Sequence, residues 1–180
     1  MIDAPDLGAA ISVVVSDRPG IAALERAGRG GIPAVVVPWA AFASRQDFSA
    51  AVRAEVESHR AEAVVLAGFM RVLSSEMVDA FPDRMLNIHP SLLPAFPGAD
   101  AVAQALEHGV KVTGVTVHFV DKEVDHGPII AQVAVPVMSD DDHASLHRRI
   151  QIEEHRLYPR VVSAFARGEV VVDDGRVRWS

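Results

Sequence analysis

The chain has 180 residues, of which 49% are hydrophobic and 23% charged, and its formal net charge is −7. A chain of this length suits a single globular domain, and we expect residues 1–180 to form one. The negative charge argues against general nucleic-acid binding, which depends on Lys and Arg neutralising phosphates. The absence of cysteine excludes thiolate zinc sites and a thiol nucleophile and fits a cytoplasmic protein. No apolar run approaches the ~20 residues that span a bilayer, so we expect no membrane insertion.

Short apolar runs rich in β-branched residues alternate with helical stretches in the N-terminal half. We predict buried strands at residues 11–15, 34–37, 63–66 and 85–88. We predict the intervening helices at residues 21–27, 48–60 and 76–80. This alternation predicts an α/β fold with a mostly parallel sheet flanked by helices, in which ligands bind beyond the carboxyl ends of the strands.

The C-terminal half has a different pattern. Residues 111–120 and 128–137 flank a loop and are predicted to form a strand pair that extends the sheet. The acids at 140–142 favour a helix N-terminus, and an apolar stripe predicts a long helix that ends near Arg167. Residues 170–172 and 177–179 flank an Asp-Asp-Gly turn and predict a closing hairpin.

The segment 87–98 is the most informative about chemistry. On a strand, Asn87 and His89 project from the same face, just before a proline-rich loop. A lone histidine is more often a structural residue, but the neighbouring amide and the rigid loop favour a functional site.

A second segment, residues 118–128, is an acidic loop that ends in Asp125-x-Gly127-Pro128. By themselves, Asp125 and Gly127 are typical of a turn. Together with Asn87 and His89, however, Asp125 supplies a carboxylate that can hold an imidazole in its charged form. The three residues therefore form a candidate acid–base site.

Several of these motifs resemble the folate-dependent formyltransferase family over residues 12–168. The motifs are Asn-x-His-Pro-Ser-Leu-Leu-Pro at 87–94, Ala-Gly-Phe-Met-Arg at 67–71 and the Asp-x-Gly-Pro loop. Phe-Pro-Gly at 96–98 and Gln-x-x-Glu-His-x-x-Tyr-Pro at 151–159 are similar to the phosphoribosylglycinamide formyltransferase branch. The resemblance implies a Rossmann-like formyltransferase fold with an antiparallel C-terminal extension of the sheet, in a monomer or homodimer. It also implies formyl transfer from the co-substrate 10-formyltetrahydrofolate to the amine of glycinamide ribonucleotide, in purine synthesis and without a metal.

The resemblance also implies roles for individual residues. Asn87, His89 and Asp125 would be catalytic: Asn87 and protonated His89 donate to the oxyanion that forms when the amine attacks, and Asp125 keeps the imidazole protonated. The folate pocket would comprise Arg45, Met70, Arg71, Val72, Leu73 and Asn87, with the loop Asp121, Lys122, Glu123 and Val124 closing over the pterin. The ribonucleotide site would comprise Arg149, Gln151 and Glu154.

Simpler explanations exist for some of these residues. Phe69, Met70, Val72 and Leu73 also suit a buried strand-to-helix connection. Glu154 also suits an intrahelical ion pair with a neighbouring Arg, worth about 0.3–0.5 kcal/mol. His143 and His147 are spaced as metal ligands, but no glutamate of a His-Glu-x-x-His motif lies between them, so we predict no metal site.

The chain departs from the family pattern at its start. The family opens with a buried strand and a Ser-Gly-x-Gly-Ser-Asn loop that binds the substrate phosphate, whereas residues 1–7 resemble the end of the helix that follows. We therefore expect a truncated start, in which Met1 is an internal methionine of a longer natural chain and the phosphate site is missing.

Three alternatives stay open at this point. The first two are a formyltetrahydrofolate deformylase and a methionyl-tRNA formyltransferase, and the third is an inactive folate-binding remnant. A Gly-x-Ser-x-Gly hydrolase elbow is absent from the sequence. The loop at 98–103 lacks the histidines that many relatives carry, so we predict no catalytic role for it.

Overall fold

The computed structural model describes residues 1–2 and 7–180. The expectation that residues 1–7 resemble a helix end falls mostly on residues 3–6, outside the described residues. In chain order, the helices and strands are β1 (Val14–Ser16), α1 (Ala22–Arg29), β2 (Ala34–Val36), α2 (Arg45–Ser58), β3 (Val64–Leu66), α3 (Ser75–Ala80), β4 (Met85–His89), α4 (Ala101–Glu107), β5 (Val112–Phe119), β6 (Ile129–Pro136), α5 (His143–Ala166), β7 (Val170–Asp173) and β8 (Arg176–Trp179), with a short 3-10 helix at Trp39–Ala41. In the described part of the chain, no helix is long and apolar enough to cross a bilayer.

The strands form three hydrogen-bonded ladders. β1 and β2 are parallel, as are β3 and β4. β5 pairs antiparallel with β4, β6 pairs antiparallel with β5, and β7 and β8 form a hairpin. This confirms the predicted α/β class, with parallel strands flanked by helices and an antiparallel extension. Among the described residues, β1 and β3 are not hydrogen-bonded to each other, so the parallel strands lie in two ladders.

Two helices differ from the prediction. Helix α2 begins at Arg45, earlier than predicted, because the Ser44 hydroxyl accepts from the Asp47 N–H and caps the first turn. Helix α4 was not predicted. It is short and alanine-rich, and Asp100 caps it from a left-handed conformation by accepting from the Ala103 N–H.

Helix α5 closes the core over the sheet. Its stripe residues Leu146, Ile150 and Val161 are buried, as the periodicity predicted. The N-cap is Asp142, whose carboxylate accepts from the Ser145 N–H in a capping box.

Tyr158 joins α5 to the neighbouring strands β3 and β4. Its buried hydroxyl lies 2.7 Å from the carbonyl oxygen of Leu66 and 3.0 Å from that of Leu86. Leu66 is the last residue of β3, and Leu86 precedes Asn87 in β4. Because burial raises the pKa of Tyr158 well above its ordinary value, the hydroxyl stays a neutral donor. The helix therefore fixes both strands where they approach Asn87.

We expect Tyr158→Phe to lower the free energy of unfolding by roughly 1–2 kcal/mol, because it removes the buried donor that two carbonyls share. Urea denaturation at neutral pH measures the loss. Trp179→Phe is the matched control, since it deletes the indole N–H that donates to the Ile130 carbonyl from a side chain that is 52% exposed. Equal losses in the two variants would contradict this account of Tyr158.

Candidate functional site

The site begins at the carboxyl end of β4. Met85 and Leu86 are buried in the core, and the strand alternation then places Asn87 and His89 on one face. In the ladder, Asn87 is paired with Leu66 of β3 on one side and with His118 of β5 on the other. Its position is therefore fixed by both neighbouring strands.

The Asp125 carboxylate is the point at which separate segments meet. Its Oδ2 accepts a hydrogen bond from the Gly98 N–H at 2.8 Å and lies 3.2 Å from His89 Nδ1. Its Oδ1 accepts from Asn87 Nδ2 at 3.2 Å. The Asp125 side chain is only 11% exposed. Asn87 and His89, the two residues predicted to act with Asp125, thus both contact its carboxylate.

The surroundings of Asp125 favour its ionised form. Burial by itself raises the pKa of this carboxyl, but the neighbouring His118, the Gly98 N–H and the charge of His89 lower it by more. The net shift of the Asp125 pKa is downward. A negative charge therefore sits beside His89 at neutral pH.

His89 contacts acceptors on both sides of its ring. The nearly buried imidazole donates from Nε2 to the Phe96 carbonyl at 2.8 Å, while Nδ1 faces the Asp125 carboxylate. A carbonyl can only accept, so Nε2 carries a hydrogen. Phe96 has a φ of 53°, in the left-handed region that bulky residues rarely adopt. This conformation gives the loop the geometry in which its carbonyl contacts His89.

The loop after β4 is held by side chains of β5 and β6. Thr116 donates its hydroxyl hydrogen to the Ser91 carbonyl at 2.7 Å and accepts from the Leu93 N–H at 3.0 Å. Gln132 donates to the Leu93 carbonyl at 2.9 Å. Because these bonds are buried or partly buried, the proline-rich loop is a rigid wall of the site.

The loop that carries Asp125 also needs a special backbone. The β5–β6 ladder has an irregularity between Val117 and His118, and Asp125 has a φ of 52°. A Cβ on Gly127 would overlap the Phe119 carbonyl. Only glycine fits there, which explains the glycine of the Asp-x-Gly-Pro motif.

The apolar residues assigned to the folate pocket separate into two groups. Leu73 is buried in a core cluster with Phe48 and Met77. Met70 is 72% exposed, Val72 48% and Val124 52%. The simpler explanation, a buried connection, therefore holds for Leu73 and fails for Met70 and Val72.

The charged residues assigned to the same pocket are mostly engaged with other residues. Arg71 donates to Asp17 at 2.9 Å, and its guanidinium lies 5.2 Å from the centre of the Trp39 ring. Lys122 forms a 2.9 Å ion pair with Asp79 of α3. Both ion pairs are partly or largely exposed. Because exposed ion pairs contribute little free energy, a ligand can replace either partner with little loss of stability.

The loop over residues 121–124 borders an open groove. His126 contacts Asp121 at 2.7 Å, and this hydrogen bond and the charge of Asp121 raise the pKa of His126. Arg45, the first residue of α2, is exposed. The groove has a volume of about 360 Å³ and is lined by Val78, Asp79, Pro82, Asp121, Lys122 and Glu123.

The α5 residues assigned to the second substrate have different surroundings. Arg149 donates twice to Asp141, at 2.6 and 2.9 Å, and once to the Pro136 carbonyl. This hydrogen bonding holds the pKa of Asp141 well below its usual range. The guanidinium therefore ties the start of α5 to the end of β6. Gln151 is partly buried and lies on the same helix.

Glu154 is a half-buried carboxyl without a partner in the described part of the chain. Burial raises its pKa, and the intrahelical pair that we considered for it is made by Glu153 with Arg156 instead, at 2.8 Å. An unpaired carboxylate in a desolvated position is costly. Glu154 therefore has the character of a ligand-binding group.

His143 and His147 do not form a metal site with other described residues. Their rings stack with centroids 5.8 Å apart, and His143 Nε2 lies 3.1 Å from Asp100. Nowhere in residues 1–2 and 7–180 do three or more His, Cys, Asp or Glu side chains cluster as metal ligands.

Three contributors to the site were not predicted. Gly98 and Phe96 contribute backbone groups, which leave no trace in residue type. His118 is a buried side chain that contacts Asn87 at 3.2 Å. It could have been found by noting that an antiparallel β4–β5 ladder can place it opposite Asn87.

The sequence has clear relatives. A family model described as Formyl transferase matches residues 2–162. Phosphoribosylglycinamide formyltransferase of Mycobacterium tuberculosis is 46% identical over 167 residues, covering 93% of this chain and 77% of that protein. The trifunctional purine biosynthetic protein adenosine-3 of Homo sapiens is 43% identical over 97% of this chain. The chain spans only 17% of that human protein and 12% of its Drosophila melanogaster counterpart.

Solved structures of similar proteins have the same fold. Glycinamide ribonucleotide transformylase 1 from Symbiobacterium toebii superposes with a TM-score of 0.89 at 53% identity, covering 93% of this chain and 79% of that one. A formyltetrahydrofolate deformylase from Pseudomonas syringae has a TM-score of 0.86 at 31% identity, covering 94% of this chain and 56% of that one.

The pKa shift of Asp125 predicts a pH-dependent contribution to stability. Its pKa is lowered in the folded state, so the stabilisation is complete above the unfolded value near ~4 and is lost as pH falls through the folded pKa. We expect the difference in unfolding free energy between the wild type and Asp125→Asn to be constant from about pH 6 to 7 and to shrink below about pH 4. Urea denaturation across this range measures it. A difference that grows on acidification would contradict the assignment.

Proposed function

Because the chain belongs to the formyl transferase family, we propose that it transfers the formyl group of 10-formyltetrahydrofolate to the amine of glycinamide ribonucleotide. The product would be formylglycinamide ribonucleotide, an intermediate of purine biosynthesis. The observation that carries the proposal is the contact of Asn87 and His89 with the ionised Asp125, in a chain with relatives named for this reaction. Asn87, His89 and Asp125 are the proposed catalytic residues.

The proposed reaction exchanges one C–N bond for another. The amine nitrogen bonds to the formyl carbon, and the bond from that carbon to N10 of the folate breaks. One proton leaves the amine and one reaches N10, so protons balance, and no step requires a metal ion. Between these events the formyl oxygen carries negative charge, which a positioned donor stabilises in a site shielded from water.

His89 is suited to be that donor. Its Nε2–H, which donates to the Phe96 carbonyl, can instead donate to the formyl oxygen when substrate is bound. The Asp125 carboxylate stabilises the positive imidazolium. It can also orient a water that carries the proton from the amine.

We propose that the folate binds beside the loop that follows β3. Met70, Val72 and Val124 offer exposed apolar surface for a flat ring, and exposed apolar side chains next to a polar site are typical of ligand pockets. Asn87 would complete the pocket, and Leu73, whose side chain is buried in the core, would contribute only its backbone groups. Arg45 and Arg71, with Asp121, Lys122 and Glu123 of the groove, would meet the polar parts of the molecule.

The glycinamide ribonucleotide would bind along α5. Glu154 supplies a half-buried carboxylate that lacks a partner among the described residues, and hydroxyl or amine groups of the substrate can donate to it. Gln151 lies one helical turn from Glu154 and offers both donor and acceptor groups. The orientation of the Arg149 guanidinium is fixed by its two hydrogen bonds to the Asp141 carboxylate.

The second candidate function is formyltetrahydrofolate deformylation, which the structural likeness to a deformylase favours. Water would replace the amine as the nucleophile, and formate would be the product. The same catalytic residues would serve, because both reactions pass through a charged formyl oxygen. The nucleophile therefore distinguishes the two functions.

A spectrophotometric assay with a 10-formyl folate analogue tests the proposal. Loss of the formyl group that depends on glycinamide ribonucleotide supports formyl transfer to that amine. Loss without it, with release of formate, supports the deformylase. Transfer only to methionyl-tRNA would support the tRNA enzyme, and folate binding without turnover would support an inactive binding protein.

We further propose that residues 1–180 act as a single formyltransferase domain. The cytoplasmic location and the monomeric or homodimeric state stay predictions from the sequence. Sedimentation analysis of the purified protein distinguishes the monomer from the dimer.

We expect His89→Ala and Asp125→Asn each to lower kcat by about 10²- to 10⁴-fold, because each removes part of the acid–base pair. KM should change much less, since the loss lies in the chemical step. His59→Ala is the control: among the described residues, the hydrogen-bond partners of this ring are the Ser58 hydroxyl and the Glu55 carbonyl, at the end of α2. Rates near the wild type in both site variants would refute the assignment.

Glu154→Gln should separate binding from stability. The folded pKa of Glu154 is raised, so ionisation destabilises the fold above the unfolded pKa near ~4.3, and a neutral amide removes this cost at pH 7. We expect stability to rise and the Kd for glycinamide ribonucleotide to increase about 10- to 100-fold. Calorimetry and urea denaturation measure the two effects.

Glu153→Gln is the matched control for Glu154→Gln. Glu153 pairs with Arg156 on the helix surface, so its variant should neither raise stability nor weaken binding. Lower stability together with unchanged affinity in Glu154→Gln would contradict the role given to Glu154.

A further inference from the structure

We propose that His118 is a positioning residue that fixes the orientation of the Asn87 side-chain amide and so presents the Asn87 oxygen to the attacking amine. The inference rests on the proposed formyl transfer and deepens it. His118 acts through Asn87 and needs no contact with the substrate.

The hydrogen on the neutral His118 ring is located by a backbone contact. The side chain is buried, with 2% exposed, and Nδ1 lies 2.7 Å from the Phe119 carbonyl oxygen. A carbonyl only accepts, so Nδ1 carries the hydrogen. In the neutral ring, Nε2 is then an acceptor.

That acceptor faces the amide of Asn87. Asn87 Nδ2 lies 3.2 Å from His118 Nε2 and 3.2 Å from Asp125 Oδ1. His118 Nε2 is 3.6 Å from Asp125 Oδ1, beyond hydrogen-bond distance, so its closer partner is Asn87. Both neighbours of the amide need a donor, and only the NH₂ end of Asn87 provides one.

The amide is therefore held by both of its hydrogens. Rotating it by 180° would lose both bonds and place Asn87 Oδ1 against the Asp125 carboxylate. In the held orientation, Oδ1 has no hydrogen-bond partner among residues 1–2 and 7–180. The free polar atom that Asn87 offers is thus an acceptor.

An acceptor at this place suits the nucleophile. The amine must direct its lone pair at the formyl carbon, and a hydrogen bond from one amine N–H to Asn87 Oδ1 restricts its rotation. This role differs from donation to the oxyanion, which the family resemblance implied for Asn87. Donation to the formyl oxygen is then left to His89.

The fold keeps His118 and Asn87 in register. The two residues are direct partners across the antiparallel β4–β5 ladder. The irregularity of the β5–β6 ladder at Val117 and His118 lies beside this pair, and such irregularities re-aim side chains. The His118 side chain is therefore set by backbone geometry on both sides of β5.

Two substitutions at His118 separate positioning from packing. The amide of Gln reaches the place of Nε2 and can offer an oxygen to Asn87, whereas the shorter Asn reaches only the place of Nδ1. We expect His118→Asn to lower kcat about 10- to 100-fold with KM for both substrates within about threefold. His118→Gln should keep kcat within about threefold of the wild type.

A double-mutant cycle with Asn87→Ala tests the route of the effect. If His118 acts through Asn87, His118→Asn should not reduce kcat further in the Asn87→Ala background. A merely structural histidine would lower kcat by the same factor in both backgrounds. His59→Asn is the matched control, because His59 also contacts a backbone carbonyl through Nδ1 but lies at the end of α2.

A second measurement keeps the inference testable if His118→Asn fails to fold. Nitrogen-15 NMR of the wild type locates the ring hydrogen of neutral His118, and we expect it on Nδ1. A hydrogen on Nε2 would overturn the inference, as would equal kcat values in the Gln and Asn variants or full additivity in the cycle. An inactive wild type would instead refute the proposed function, while the NMR result would still test the orientation.

Discussion

One largely buried carboxylate holds the candidate site together. Asp125 accepts from the Gly98 N–H and from Asn87 Nδ2 and contacts His89, so it joins strand β4, the loop after that strand and the loop between β5 and β6. The glycine at 127 and the left-handed backbone at Asp125 allow this close approach. Without the carboxylate, three donors would face a desolvated position with no acceptor. The strands and loops around the site bring these three segments within hydrogen-bond distance of Asp125.

Much of this arrangement could be predicted from the sequence, and the failures have physical reasons. Alternation on β4 placed Asn87 and His89 on one face, because the period of a strand is two. The left-handed Phe96, whose carbonyl accepts from His89, and the N–H of Gly98 could not be predicted, since backbone groups are the same in every residue. Helix α4 was not predicted because its seven residues are too few to show a helical hydrophobic period. The segment that contains His118 was recognised, but its contact with Asn87 was not predicted. That contact depends on the register between β4 and β5, which sequence periodicity does not give.

The two proposed substrate pockets differ in chemistry. Exposed apolar side chains at Met70, Val72 and Val124 suit a flat ring, whereas the half-buried Glu154 suits a polar substrate with hydroxyl or amine groups. Tyr158, on the same helix as Glu154, places its hydroxyl within hydrogen-bond distance of the carbonyls of Leu66 in β3 and Leu86 in β4. The proposed formyl transfer requires the two pockets to adjoin, because the reaction occurs where the two substrates meet.

If Asp125 organises the site, its loss should expose the amide of Gly98 to hydrogen exchange. Gly98 N–H donates to Asp125 Oδ2 at 2.8 Å, so we predict slow exchange in the wild type and fast exchange in Asp125→Ala. Amides in the middle of β5, such as that of Val115, should exchange equally slowly in both proteins. A Gly98 amide that exchanges as fast in the wild type as in the variant would show that Asp125 does not hold this loop in place.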